Sequence, residues 1–236
     1  DWMHAPFVGL QNFAAGLDPS TTVGARALKS LQNIVVYSAM TVTAGYVIGL
    51  AVALLLNKEF WGRTFMRTLI LLPYITPDSV AYNVWRFIFQ SRIGILNRYL
   101  VEWGLVSEPP IWLIGPPAFW AVIIASIWKG WPFAALILLA ALQKIPLELY
   151  EAAKVDGATS WQQFKWITMP QLRSVSVTLL LMSMLWNFNA FNQFFVMLGR
   201  DPGVAAEVPS TLILREAFTN FQYGIGSALS IILMLI

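Results

Sequence analysis

Long apolar segments constrain this chain more than any other feature of its sequence. A helix that crosses a bilayer core about 30 Å thick needs about 20 apolar residues. Five segments have this character, and short polar connections separate them: Asn33–Leu56, Thr68–Phe89, Phe119–Leu142, Val175–Leu198 and Gly224–Ile236. A soluble domain of 236 residues has no room to bury five such helices. The pattern therefore predicts an all-α integral membrane protein.

The composition agrees with a membrane protein and narrows its chemistry. Hydrophobic residues make up 58% of the chain and charged residues only 11%, and the mean hydropathy is +0.64. The small net charge of +3 is spread along the chain and gives no nucleic-acid footprint. The chain has no Cys, and its one His is His4, so thiolate or His-based chemistry is not expected. We therefore expect no catalytic residue, no metal and no cofactor bound by this chain.

The distribution of basic residues predicts the orientation in the membrane, because cytoplasmic loops are enriched in Lys and Arg. Connections 57–67 and 143–173 together hold seven basic residues. Six occur in the other connections, which are together twice as long: 1–32, 90–118 and 199–223. We therefore place the first set in the cytoplasm. This gives an external segment over 1–32 and a transmembrane domain over 33–236.

The polar connection 143–173 has the signals of two short helices joined by a sharp turn. Pro146 suits a first helical turn, and Gly157 is a natural left-handed stop. Ser160-x-x-Gln163 has the pattern of a capping box that starts a second helix. Pro170 is expected to limit that second helix. We call this predicted helix–turn–helix the elbow (residues 143–173).

The elbow is expected to dock on a partner, since two short helices are marginally stable alone. Ala152 and Ala153 allow a partner backbone to approach closely, and acidic side chains offer charge-assisted bonds. Apolar anchors flank them: Leu149, Tyr150, Val155, Trp161 and Phe164. The alternative is an amphipathic helix lying on lipid. The elbow fits that alternative less well, because it has few basic residues on a polar face and a Gly in its middle.

The segment EAAKVDGATSWQQFKWITMP resembles the EAA loop of permease subunits in binding-protein-dependent ABC importers. The family pattern has Glu-Ala-Ala, three residues, Gly, and later an apolar position and Pro. The matching positions are Glu151, Ala152, Ala153, Asp156, Gly157, Ala158, Phe164, Ile167 and Pro170. Four other segments resemble the carbohydrate, maltose-type branch of that family: FVGLQNF, LLPYITPDSVAYNVWRFIF, GILN and LQKIPLELYEAA.

This resemblance implies the type I ABC importer permease fold, with a further span before Asp1. It implies a translocation path for a di- or oligosaccharide delivered by an extracytoplasmic solute-binding protein. It also implies a second permease in a heterodimer and two ATPase subunits, in a bacterial or archaeal cytoplasmic membrane. The residues implied to couple to the ATPase are Glu151, Ala152, Ala153, Asp156, Gly157, Ala158, Phe164 and Pro170. The chain has no G-x-x-x-x-G-K-[ST] phosphate cradle, so ATP and Mg are expected on the partner ATPase.

Polar residues inside the apolar segments are the candidates for the solute path. Ionisable side chains at membrane depth cost about 2.5–3.5 kcal/mol each, so Asp78, Arg86 and Lys129 are functional candidates. Lys129 lies in WKGWPF, where Gly and Pro are expected to break the helix. The run WNFNAFNQF mixes amides with aromatic rings that suit a sugar: Trp186, Asn187, Asn189, Phe191 and Asn192. The alternative for these amides is hydrogen bonding between helices.

Three other functions are distinguishable from sugar import. Import of a glycerol-phosphate ester favours a cationic path, which Lys129 or Arg86 would supply. A membrane-embedded enzyme needs a cluster of His, Cys or carboxylates at membrane depth, and only Asp78 lies there. A channel would conduct without nucleotide.

Overall fold

The computed structural model describes residues 7–235, and it confirms the all-α class. No strand occurs within this range. The elements are α1 (Gln11–Leu17), α2 (Thr22–Asn57), α3 (Arg63–Ile75), α4 (Asp78–Ile88), α5 (Ile95–Glu102), α6 (Pro116–Leu142), α7 (Leu147–Val155), α8 (Ser160–Gln163), α9 (Met169–Phe188), α10 (Asn192–Leu198), α11 (Pro209–Leu214) and α12 (Tyr223–Leu235). Two π-helical turns, Phe164–Thr168 and Arg215–Thr219, follow α8 and α11 without a break.

The chain divides into two compact units. The first takes the residues up to Tyr37, Asp78–Ile123, and Phe188 onward. In it, α4 packs along α10, and α12 packs against α1 and α11. The second takes Ser38–Pro77 and Ile124–Asn187. Its apolar core joins α2, α3, α6 and α9 through Ala53, Leu56, Ile70, Leu138, Leu142, Leu172 and Leu179.

Helix α2 begins eleven residues before the predicted span, at Thr22 rather than Asn33. Its start is set by Thr21, whose hydroxyl oxygen accepts the amide N–H of Gly24 at 2.9 Å. Arg26, Lys29 and Gln32 interrupt the turns that precede Asn33, so a continuous apolar run does not reveal them. Farther along, α2 approaches α6 so closely that a Cβ on Gly49 would lie 2.7 Å from the Cβ of Ala134.

The predicted second span, Thr68–Phe89, is corrected to two helices. Helix α3 ends at Ile75 and α4 begins at Asp78. Thr76 between them is extended (φ −62°, ψ 127°), because the ring of Pro77 disfavours helical backbone in the preceding residue. The break predicted at Trp128–Phe133 is wrong, since α6 continues through Pro132.

Length and composition identify α2 and α6 as helices able to cross a membrane. A third span results if Ser160–Phe188 and Asn192–Leu198, which meet at a bend of 47°, count as one. That bent pair occupies the predicted Val175–Leu198 segment. Helix α12 is apolar but has only 13 residues.

Candidate functional site

The first arm of the elbow is α7, which ends in a Schellman motif. Gly157 has φ +79°, the left-handed conformation that ends the helix. Its amide N–H donates to the carbonyl of Lys154 at 3.0 Å, and that of Ala158 donates to Ala153 at 2.8 Å. The predicted turn at Gly157 is confirmed, and the last carbonyls of the Glu-Ala-Ala helix are satisfied within the chain.

The second arm starts one residue earlier than predicted. Thr159, not Ser160, is the cap, and the side chain of Gln162 completes the capping box. The Gln162 oxygen accepts the amide N–H of Thr159 at 2.7 Å. Pro170 does not end this helix either, because α8 continues through the π-helical turn into α9. The wider turn just before Pro170 accommodates a residue that has no amide hydrogen.

Two contacts fix the arms to each other and to the second unit. The Tyr150 hydroxyl of α7 lies 2.9 Å from the Thr168 hydroxyl of the π-helical turn. Tyr150 and Ile167 also pack against the apolar core of this unit. The elbow is therefore anchored to that core.

The outer face of the elbow is uncovered. No residue of α7 is buried. Glu151, Ala152 and Asp156 are exposed, and the exposed fractions of Val155 and Trp161 are 87% and 69%. This surface exposes the large apolar side chains of Val155 and Trp161 beside small and acidic ones.

Three aromatic rings in the second unit form what we call the aromatic row (Tyr74, Phe133 and Trp186). Tyr74 stacks on Phe133 with centroids 5.5 Å apart, and Phe133 meets Trp186 at 5.6 Å. Tyr74 and Trp186 are 45% and 56% exposed. Of these rings only Trp186 was predicted from the sequence, because the other two lie in α3 and α6 and no local pattern joins them.

Two predicted path residues of the same unit are engaged with the protein. The Lys129 ammonium donates to the carbonyls of Pro73, Tyr74 and Thr76 at 3.1, 2.9 and 2.5 Å. Asn187 donates from Nδ2 to the Thr41 hydroxyl at 2.8 Å, so its amide does link two helices.

The remaining path candidates lie in the first unit. Asp78 is exposed at the start of α4, and Arg86 of the same helix donates to the Val196 carbonyl at 3.4 Å. Asn189 and Asn192 are exposed around the start of α10, where the ring of Phe191 stacks on Phe195 at 5.1 Å. The neighbouring Gln193 donates to the Tyr37 hydroxyl at 2.9 Å.

A buried ion network in the first unit was not anticipated from the sequence. Arg26 binds Glu207 through two bonds of 2.8 and 3.0 Å, and Arg215 lies 3.2 Å from the same carboxylate. Arg215 also pairs with Glu216. Glu207 and Glu216 are each only 1% exposed. Burial raises the pKa of the Glu207 carboxyl, and the bond from Arg26 offsets that shift only in part.

An open cavity of about 620 Å³ lies beside this network. Its lining combines charged, amide and aromatic side chains: Arg26, Arg200, Asp201, Asn220, Phe218 and Phe221. Phe221 has φ +55°, the only positive φ of a non-glycine residue in the described range. The amide N–H of Gln222 donates to the Glu216 carbonyl at 2.8 Å and holds this turn. Phe218 and Phe221 are thus presented to solvent by a fixed backbone.

Residues 45–236 match the family model described as "Binding-protein-dependent transport system inner membrane component". The chain belongs to this family. The permease is accordingly an integral membrane subunit of an ABC importer, and members of the family are transport subunits rather than enzymes. No group of three His, Cys, Asp or Glu able to hold a metal occurs between residues 7 and 235, and His4 lies outside that range.

Curated relatives match the permease over almost its whole length. It is 35% identical to the trehalose/maltose transport system permease protein MalF of Thermococcus litoralis, over 96% of this chain and 75% of the relative. It is 32% identical to the sn-glycerol-3-phosphate transport system permease protein UgpA of Agrobacterium fabrum, over 98% of this chain and 76% of the relative.

A solved structure shares the fold. It is a crystal structure of a bacterial ABC transporter involved in the import of the acidic polysaccharide alginate. The TM-score is 0.85 at 24% identity, over 99% of this chain and 82% of the other. The type I ABC importer permease fold predicted from the sequence is confirmed.

Proposed function

We propose that the permease forms part of the translocation path for a carbohydrate, a di- or oligosaccharide, and couples to an ATPase through the elbow. The observation that carries this proposal is the ordered elbow, whose Glu151–Gly157 face no other part of the described chain covers. An ordered segment whose outer face is exposed is suited to binding a protein partner. The Schellman turn and the Tyr150–Thr168 bond allow it to transmit force from a partner to α9.

The partners follow from this coupling. The elbow enters a cleft of a cytoplasmic ATPase, which holds the ATP and Mg. Glu151 pairs there with a basic residue, and Ala152, Ala153 and Ala158 allow close approach. Asp156, Phe164 and Pro170 complete the coupling face and its connection to α9. One elbow serves one ATPase, so a second permease serves the other ATPase of the dimer.

The orientation and location form part of the same proposal. Residues 143–173 face the cytoplasm, and 1–32 is external to a multi-pass transmembrane domain over 33–236. The membrane is the cytoplasmic membrane of a bacterium or archaeon. The bias in basic residues and the family description support this arrangement.

For the solute, the aromatic row favours a sugar, because sugar rings stack on aromatic faces. Asn189, Phe191 and Asn192 offer further amide and ring contacts. The relative UgpA makes a glycerol-phosphate ester the alternative. That alternative needs available cations, whereas Lys129 and Arg86 both donate to backbone carbonyls. Those contacts favour a neutral sugar over a phosphate ester.

We assign docking of the solute-binding protein to the cavity rim formed by Arg200, Phe218 and Phe221. Aromatic and Arg side chains are enriched at protein interfaces. A relative in fold, with a TM-score of 0.79 at 23% identity, is a bacterial alginate ABC transporter in complex with a pentasaccharide-bound periplasmic protein. Phe221→Ala and Arg200→Glu should each weaken binding of the purified binding protein about tenfold, whereas Arg92→Glu should not. Unchanged affinity in both rim variants would remove this rim from the interface.

Uptake into vesicles containing the assembled importer tests the main proposal. We expect ATP-dependent accumulation of a labelled oligosaccharide, with competition by related sugars and none by glycerol phosphodiesters. Competition by the phosphodiesters alone would support the alternative solute. Flux that continues without ATP would indicate a channel and contradict coupling.

A further inference from the structure

The end of α3 has an unusual shortage of backbone donors. The last four carbonyls of a helix lack intrahelical amide partners. Here Pro77 has no amide hydrogen to donate to the Pro73 carbonyl, and the extended Thr76 turns the chain out of the helix. The amide and the hydroxyl of Thr76 both donate to Leu72, at 3.2 and 2.7 Å. The carbonyls beyond Leu72 therefore need donors from another part of the chain.

Lys129 supplies those donors from α6. Its ammonium group has three hydrogens and no acceptor, and it meets three carbonyls, those of Pro73, Tyr74 and Thr76. The positive charge also lies at the negative end of the helix dipole. An unpaired carbonyl is costly where no water reaches it, so this contact replaces the missing amides of a broken span.

The same contact fixes the first ring of the aromatic row. The carbonyl of Tyr74 is bound at 2.9 Å, while the ring of Tyr74 stacks on Phe133. Phe133 in turn contacts Trp186. The position of Tyr74 in the row is therefore tied to the length and charge of the side chain at position 129.

We propose that Lys129 is a positioning residue: it closes the end of α3, holds Tyr74 in the aromatic row and does not itself bind the solute. Its effect on transport rests on the proposed function of that row, whereas its effect on the stability of α3 does not. A residue that closes a helix and a residue that contacts a sugar respond differently to conservative replacement, which makes the proposal testable.

The test compares Lys129→Met with Lys129→Arg in the assembled importer. Met keeps the four-atom stem of the side chain and removes all three donors, whereas Arg keeps a charged donor. We expect Lys129→Met to lower the Tm by about 5 °C. It should also lower the maximal uptake rate about tenfold, by the same factor for every transported sugar. Lys129→Arg should recover most of both losses.

Pro77→Ala gives a second, independent test. In the Lys129→Met background, this substitution restores an amide hydrogen that can donate to the Pro73 carbonyl, so part of the lost Tm should return. If Lys129→Met does not accumulate in the membrane, recovery of accumulation in the double variant supports the proposal equally.

Two results would overturn it. The first is an unchanged Tm in Lys129→Met with KM altered for one sugar only, the signature of direct solute contact. The second is a double variant no better than Lys129→Met, together with an equally defective Lys129→Arg. If the unaltered importer moves no sugar at all, the proposed function fails, and the Tm comparison still decides the role of Lys129.

Discussion

The hydroxyls of Tyr150 and Thr168 lie 2.9 Å apart and join the two arms of the elbow. Tyr150 belongs to the Glu-Ala-Ala helix, and Thr168 to the π-helical turn that leads into α9. In the proposed coupling, this bond passes a displacement of the first arm to α9.

Removing the hydroxyl of Tyr150 should loosen this link without unfolding the permease. Tyr150→Phe loses one hydrogen bond, about 1 kcal/mol, while the ring keeps its packing. We expect normal levels in the membrane, with a lower ratio of sugar transported to ATP hydrolysed. Tyr99→Phe, in the separate helix α5, is the control. Equal coupling ratios in the two variants would contradict the link.

The turn at Gly157 should tolerate no residue that excludes a positive φ. Proline fixes φ near −65°, against +79° here, so Gly157→Pro should abolish uptake while the protein still reaches the membrane. Bulky residues at Ala152 or Ala153 should act in the same way by blocking the docking face. Uptake and membrane content are measured together.

Gly104 provides the matched control for that turn. Its φ is +68°, so Gly104→Ala and Gly157→Ala introduce similar backbone strain, about 1 kcal/mol. Only the elbow variant should lose ATPase coupling. Normal uptake by a stable Gly157→Pro permease would exclude the elbow from transport.

The crossing of α2 and α6 at Gly49 should be sensitive to side-chain size. A Cβ there would lie 2.7 Å from Ala134 and 2.9 Å from the amide nitrogen of Ala135. Gly49→Val should destabilise the protein by about 1–3 kcal/mol, the usual cost of overpacking, and lower its Tm in detergent. Gly130→Ala is the control, because nothing lies within 4 Å of its added Cβ. An unaltered Tm in Gly49→Val would mean that the helices separate freely.

The raised pKa of Glu207 predicts a pH dependence of stability. A carboxyl whose pKa rises on folding above its ordinary 4.5 binds protons more readily in the native state. The contribution of this carboxyl to the stability of the native state is therefore most favourable at low pH and is lost as pH rises through its pKa in the folded protein. The Tm of the unaltered permease, measured against that of Glu207→Gln, should fall as pH rises from about 4.5. A Tm that rises with pH would mean that the attraction of Arg26 and Arg215 for the Glu207 carboxylate outweighs the cost of burying it.

The elbow was predictable from the sequence, but its register was not. Thr159 and Ser160 are both good caps, and Gln162 and Gln163 follow each at the same spacing, so local chemistry does not choose between them. The continuation past Pro170 depends on a π-helical turn that no propensity scale anticipates. The length of the apolar segments indicated the long helices, whereas the break at Pro77 lay inside an apolar run and left its hydropathy unchanged.

The side-chain clusters were less accessible to prediction, because they join distant parts of the sequence. The aromatic row draws its rings from α3, α6 and α9. Lys129 stood out as a charge in an apolar helix, but its three acceptors are backbone carbonyls, which every residue possesses. Only packing decides which of them a lysine meets.

Arg26 and Glu207 meet across 181 positions of sequence. During synthesis the arginine is therefore made long before its counter-charge. The cluster forms only after the segment that carries Glu207 and Arg215 has been made. A chain released before residue 207 is made would leave Arg26 without the carboxylate that it binds at 2.8 and 3.0 Å.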